Sequence, residues 1–268
     1  MSLLQLLASV VAVVAVLHGV GLVAVVGRER VFAGGSTIRR NVHAARYLIA
    51  FLGGVLAINK VVRDVGVELS WFVGANVTGG IYAIEGELVA TVQSYAMPAL
   101  TSYFSAVYVY GYVFLLTFPL VAYAFTDRNH PLRVLLVAYT VNYLVGLVMY
   151  VAFVAYGPRN YMPELVDSLL YVHWPDVQLL TSRVNRNTNV FPSLHASLSA
   201  TVAFAAYRFR ADYPAWTPIA AWLAASISVA TVYLGIHWMT DVVVGVALAA
   251  GSVAFALRVV QSDDSTVN

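Results

Sequence analysis

Residues able to do acid–base and anion chemistry are few in this chain, and they gather in three short clusters. Gly157-Pro158-Arg159 opens a polar stretch that also contains Arg183 and Arg186. Phe191-Pro192-Ser193-Leu194-His195 closes that stretch, and Tyr233 to Asp241 carries His237 and Asp241. A histidine attacks phosphorus well when a carboxylate on its far ring nitrogen fixes the tautomer. His237 and Asp241 stand four apart, a spacing that predicts neighbouring positions on one helix face. His195, with a side chain that titrates near neutrality, suits protonation of a leaving oxygen and later activation of the acceptor. Arginine forks match phosphate oxygens better than lysine does, which makes Arg159, Arg183 and Arg186 the candidate anion ligands. Ser193 and the free amides of a helix start would add donors. This set reads as phosphoryl transfer through a covalent intermediate. No metal and no cofactor is expected, because arginines and helix N-termini supply the positive field.

The elements that must position these groups are membrane helices. Of 268 residues, 60% are hydrophobic and 10% charged, with mean hydropathy +0.78. Soluble domains run near 45–50% apolar and about 25% charged, and a disordered chain would be more polar still. With no cysteine, disulfides, thiolate zinc sites and a cysteine nucleophile are excluded. A net charge of +2 is too small to argue for nucleic acid.

A crossing helix needs about 20 apolar residues. Leu3–Val26, Thr101–Phe125, Val134–Tyr156, Thr217–Ile236 and Val242–Leu257 meet that need. Ser193–Tyr207 is shorter and starts naturally from Pro192. Tyr47–Ile58 is the weakest, extendable toward Val62 if Lys60 snorkels. Leu3–Val26 does not read as a cleavable leader, since no basic residue precedes it and its apolar run is too long. The expected fold class is therefore all-α, a polytopic membrane bundle of about seven spans around a six-helix core. Expected divisions are N-terminal spans over 1–61, an outer interfacial or re-entrant segment over 62–100, a catalytic bundle over 101–258 and a disordered tail over 259–268.

With the first span running outside to inside, inner loops hold Arg28, Arg30, Arg39, Arg40, Arg46, Arg128, Arg133, Arg208, Arg210 and Arg258. Outer loops then hold Lys60, Arg63, Arg159, Arg183 and Arg186. That asymmetry fits the positive-inside rule and puts the three clusters on the outer, extracytoplasmic face of the cell membrane. Antiparallel helices with short connections would bring their ends together.

The motifs resemble those of the superfamily of type 2 phosphatidic acid phosphatases and vanadium haloperoxidases. Its second motif is Pro-Ser-Gly-His, and its third is Ser-Arg, five residues, His, three residues, Asp. Pro192-Ser193-Leu194-His195 and His237 to Asp241 match in order. The resemblance implies that His237 is the nucleophile, Asp241 its orienting partner and His195 the acid/base. Leu194 replaces the glycine, Ala230-Thr231 replaces Ser-Arg, and the lysine-containing first motif is absent. These departures look like the inositol phosphorylceramide synthase branch, which transfers a phospho-headgroup between lipids. The resemblance implies a lipid phosphate as substrate, either hydrolysed or transferred, with membrane lipids as the surroundings. The oligomeric state is left open.

Other polar residues have plainer readings. His173 fits an interfacial belt, His18 and His130 fit packing roles, and His43 lies in an inner loop. Glu85 and Glu87 could contact substrate, with solvated surface the plainer reading. Asn76-Val77-Thr78 matches a glycosylation acceptor, a pattern common by chance. Two rival classes are a transporter, which would place ionisable residues along the spans, and a non-catalytic lipid binder.

Overall fold

In the computed structural model, residues 3–178 and 189–266 are described, the side chains of 63–69, 71 and 262–266 excepted. Seven long helices follow the predicted order. They are α1 (Leu3–Val26), α2 (Arg46–Val73), α3 (Pro98–Ala124), α4 (His130–Ala152), α5 (Leu194–Arg208), α6 (Trp216–Tyr233) and α7 (Met239–Thr266). Only a two-residue parallel pairing of β1 (Ala75–Asn76) with β2 (Phe153–Val154) interrupts the helical pattern among the described residues.

Five of the seven, α1, α3, α4, α6 and most of α7, are long and apolar enough to cross a membrane. The other two depart from expectation in instructive ways. α2 has 28 residues, far beyond Tyr47–Ile58, and continues through Arg63, Asp64 and Glu68. It forms a sixth candidate span when joined with the helix Gly35–Ala44, which meets it at 63°. α5 has 15 residues, about 22 Å at 1.5 Å per residue. That is shorter than a hydrocarbon core of about 30 Å. α5 packs against α3, α4, α6 and α7, with most of its residues buried.

The sequence of α5 explains that place. Ala196, Ser197, Ser199, Ala200, Thr201, Ala205 and Ala206 are all buried, and small residues let several helix backbones approach closely. From α4, Asn142 donates through Nδ2 to Ser197 Oγ (2.7 Å) and Thr201 Oγ1 (3.1 Å), locking the two helices in register. Gly245 of α7 lies against the Ser193 carbonyl, where an added Cβ would sit 2.6 Å from the oxygen.

Large apolar side chains such as Val11, Val148 and Trp222 remain two-thirds exposed around the outside. An apolar girdle of that extent on a bundle with apolar spans is the surface of an integral membrane protein.

One end of the bundle is tied by Asn41, whose Nδ2 donates to the carbonyls of Ala124 and Thr126. An Arg128–Asp212 ion pair of 3.4 Å joins the α3–α4 and α5–α6 turns there. The opposite end is covered by segment 74–97. It forms two short helices, Thr78–Glu85 and Leu88–Gln93. Ile81 and Val89 of this cover are buried with Val166, Val232 and Trp238. α7 runs on to Thr266, into the stretch read from composition as a tail.

Candidate active site

The site is built around the turn between α6 and α7. Gly235 has a φ of +73°, a conformation that side chains with a Cβ avoid. A Cβ there would also lie 2.8 Å from the Asp167 carbonyl oxygen. The Thr231 carbonyl accepts the N–H groups of both Ile236 and His237 at 3.0 Å, which fixes where His237 leaves the turn. Gln93, from the cover, holds the same turn from outside. Its Nε2 donates to the carbonyls of Tyr233 and Asp167, and its Oε1 accepts the Asp167 N–H at 2.8 Å.

His237 is buried, and its Nδ1 lies 3.2 Å from Oδ2 of Asp241, which is fully buried. The pair is not formed along one helix face, because α7 begins at Met239. Asp241 instead reaches back over the helix start, and the same oxygen accepts the Trp238 N–H at 3.0 Å. A first-turn carboxylate that accepts the N–H just before the helix forms one half of a capping box. Asp241 thus caps the helix and orients the imidazole together. With Nδ1–H turned toward the carboxylate, Nε2 keeps its lone pair.

Glu85, expected to be solvated, accepts the backbone N–H groups of Met239 (2.9 Å) and Thr240 through its two oxygens. Trp238 is fully buried and donates from Nε1 to the Tyr156 carbonyl at 2.8 Å. A groove of about 330 Å³ opens beside this turn, lined by Ile84, Glu85, Leu88, Met239, Thr240 and Val243.

The start of α5 is bonded directly to this turn, since the Ser193 N–H donates to the Asp241 carbonyl at 3.1 Å. Ser193 is itself fully buried, and its hydroxyl accepts from the Ala196 N–H as the cap of α5. Two residues on, half-buried His195 lies against two tyrosine rings of α3. Its centroid is 4.5 Å from Tyr108, nearly parallel, and 4.2 Å from Tyr112. Leu194, where the glycine was expected, rests on Gly146 of α4, with Cδ2 only 2.7 Å from where a Cβ would stand. The larger residue is accommodated by a smaller one opposite. Thr231, at the position expected for arginine, is fully buried and bonds to the Ser228 carbonyl at 2.7 Å.

Arg159 approaches from the first of the three clusters. Its N–H donates to the Gly235 carbonyl at 3.3 Å. Its guanidinium lies 4.7 Å from the Tyr171 ring centroid and bonds to the Tyr171 hydroxyl at 3.3 Å. Both Arg159 and Tyr171 are within electrostatic reach of the Tyr108 hydroxyl. His195 thus stacks on Tyr108, while Arg159 is bonded to Gly235, two residues before His237. Arg183 and Arg186 lie outside the described residues.

The remaining histidines are accounted for elsewhere. His18 packs on Phe114 and Phe118 and bonds to the Val14 carbonyl. His130 lies edge-on to Phe209, and exposed His173 bonds to Ser102. Asn76 Oδ1 accepts from both Thr78 N and Oγ1, and the buried Thr78 hydroxyl accepts the Tyr156 N–H. The Asn-Val-Thr triplet is thus a hydrogen-bonded turn holding the cover to the chain that follows α4. The composition gave no hint of Asn189, which is buried and anchors the approach to α5 through Ala155, Tyr150 and Phe191.

Fold and site together define an all-α integral membrane protein with a histidine–carboxylate pair at one end of its bundle. A family model of the PAP2 superfamily matches residues 84–255, and the chain belongs to that superfamily. Its members are generally phosphatases or phosphotransferases, which supports a lipid-phosphate function here. No curated protein and no solved structure matches the chain.

Proposed function

We propose that this protein is a membrane lipid-phosphate phosphatase that works through a phosphohistidine, at the extracytoplasmic face of the cell membrane. The observation that carries the reading is the buried His237–Asp241 pair, seated at a helix start to which the α5 cap, two residues from His195, is directly bonded. A lipid phosphomonoester or pyrophosphate docks with its phosphoryl oxygens toward Arg159, assisted by Arg183 and Arg186. Nε2 of His237 attacks phosphorus as the bond to the leaving oxygen breaks. His195 gives that oxygen its proton, then takes one from water as the water attacks phosphorus and releases His237. Asp241 holds the proton on Nδ1 throughout and stabilises the positive ring.

Transfer of a phospho-headgroup to another lipid's hydroxyl is the second reading. It is favoured by Leu194 and Thr231 at the two departing positions, which look like the inositol phosphorylceramide synthase branch, and by the tyrosine rings around His195. Incubating the purified protein in vesicles with ³²P-labelled lipid phosphates, with and without an alcohol-bearing lipid, separates the two. Label in inorganic phosphate supports hydrolysis, and label in a second lipid supports transfer. Label that stays in the starting lipid removes both and leaves lipid binding or transport.

A further inference from the structure

We propose that Glu85 is a positioning residue for this site, holding the first turn of α7 and thereby the carboxylate that orients His237. The inference rests on the functional reading above. The first N–H groups of any helix lack intrahelical partners. In α7 the Trp238 N–H is taken by Asp241, while those of Met239 and Thr240 are taken by Glu85, from a segment 154 positions away in sequence. Asp241 has little else to fix it. Oδ2 carries both of its hydrogen bonds, and Oδ1 is buried with no partner among the described residues. The direction of that carboxylate therefore follows the backbone of the helix start, and Glu85 sets that backbone.

The local placement of Glu85 points the same way. It ends the helix Thr78–Glu85, and an acidic residue at a helix C-terminus is opposed by the helix dipole. What holds it there is tertiary. Gly86 turns the chain at a φ of +55°, and Tyr82 of the same short helix packs against Trp238 at 6.3 Å between centroids. A residue kept where its own helix disfavours it, and aimed at the residues beside His237, fits a role in the site better than surface solvation.

The test uses the full chain in mixed micelles with short-chain phosphatidate, reading kcat and KM per folded enzyme. Glu85→Ala should lower kcat about ten- to a hundredfold, as small misplacements of a catalytic group do, with KM within about twofold. Glu85→Gln, whose amide oxygen still accepts one N–H, should recover most of that loss. If Glu85→Ala does not fold, Glu85→Asp, too short to hold both N–H groups, should lower kcat at least about threefold with no change in KM. In parallel, ¹⁵N-histidine spectra follow the ring of His237, identified by its loss in His237→Ala. Its Nδ1 signal should move in Glu85→Ala or Glu85→Asp and return in Glu85→Gln. An unchanged His237 signal, or kcat within twofold of wild type in the folded Ala or Asp variant, overturns the proposal. A wild-type protein that turns over no phosphatidate counts against the functional reading alone, because the ring signal still decides the role of Glu85.

Discussion

Replacing Asp241 by asparagine isolates orientation from capping. Asp241 Oδ2 accepts two bonds, from Trp238 N–H at 3.0 Å and from His237 Nδ1 at 3.2 Å. Asparagine keeps a carbonyl oxygen able to accept the Trp238 N–H from within the first turn, so the fold should hold. Because Oδ2 takes both bonds, an asparagine that keeps its oxygen there buries its NH2 at the Oδ1 position, which has no partner among the described residues. The ring then loses the charge of the carboxylate. A flipped amide would instead present its NH2 to Nδ1 and move the ring proton to Nε2, removing the lone pair that the proposed mechanism uses. In Ser-His-Asp triads the same exchange costs about 10⁴ in kcat, equal to about 5.4 kcal/mol of transition-state stabilisation. The buried setting of Asp241 supports a loss of that order, since its effect on the ring is little screened by solvent. The comparison variant is Asp241→Ala, which also leaves the Trp238 N–H without its acceptor and should cost about 1–3 kcal/mol more in stability. The assay pairs phosphate release from phosphatidate with thermal unfolding of the same preparations. Asp241→Asn with an unfolding temperature near wild type and kcat down by about three to four decades is expected. A folded Asp241→Asn enzyme within tenfold of wild-type kcat would refute the reasoning.

Arg159→Lys should lower kcat/KM about ten- to a hundredfold, the worth of one charge-assisted hydrogen bond, because a point charge reproduces neither the fork nor the stack on Tyr171. Steady-state kinetics check this, and an unchanged kcat/KM would remove Arg159 from the anion site. Gly146→Ala places a methyl 2.7 Å from Leu194 Cδ2 and should cost about 1–3 kcal/mol by overpacking. Adding Leu194→Ala should relieve it, so the pair is non-additive by at least about 0.5 kcal/mol. Unfolding of the two singles and the double tests that coupling. Gly235→Ala should cost at least about 1 kcal/mol, from the left-handed backbone and the 2.8 Å approach to Asp167, which thermal unfolding reads directly.

The uncharged runs of α1, α3, α4, α6 and α7 are legible because lipid demands an unbroken apolar stretch. α2 is harder to see, since Lys60, Arg63, Asp64 and Glu68 break the run while helical hydrogen bonding continues to Val73. α5 has the composition of a span but the length of a core helix, and only its packing shows which it is. At the site, the spacing of His237 and Asp241 announces a pair. It does not reveal that the helix starts between them, because a cap and a helix face share the same interval of four. The backbone-holding roles of Glu85 and Gln93 are hidden for another reason. Their partners are backbone groups 74 to 155 positions away, and a backbone acceptor or donor leaves no mark on residue type.

Rapid mixing of the protein with ³²P-labelled phosphatidate, a neutral or alkaline quench and peptide mapping asks where phosphorus first lands. Phosphate on His237, absent in His237→Ala and accumulating in a variant of His195 that slows release, is the expected result. Turnover that proceeds with no label on His237, or that survives in folded His237→Ala, would contradict it.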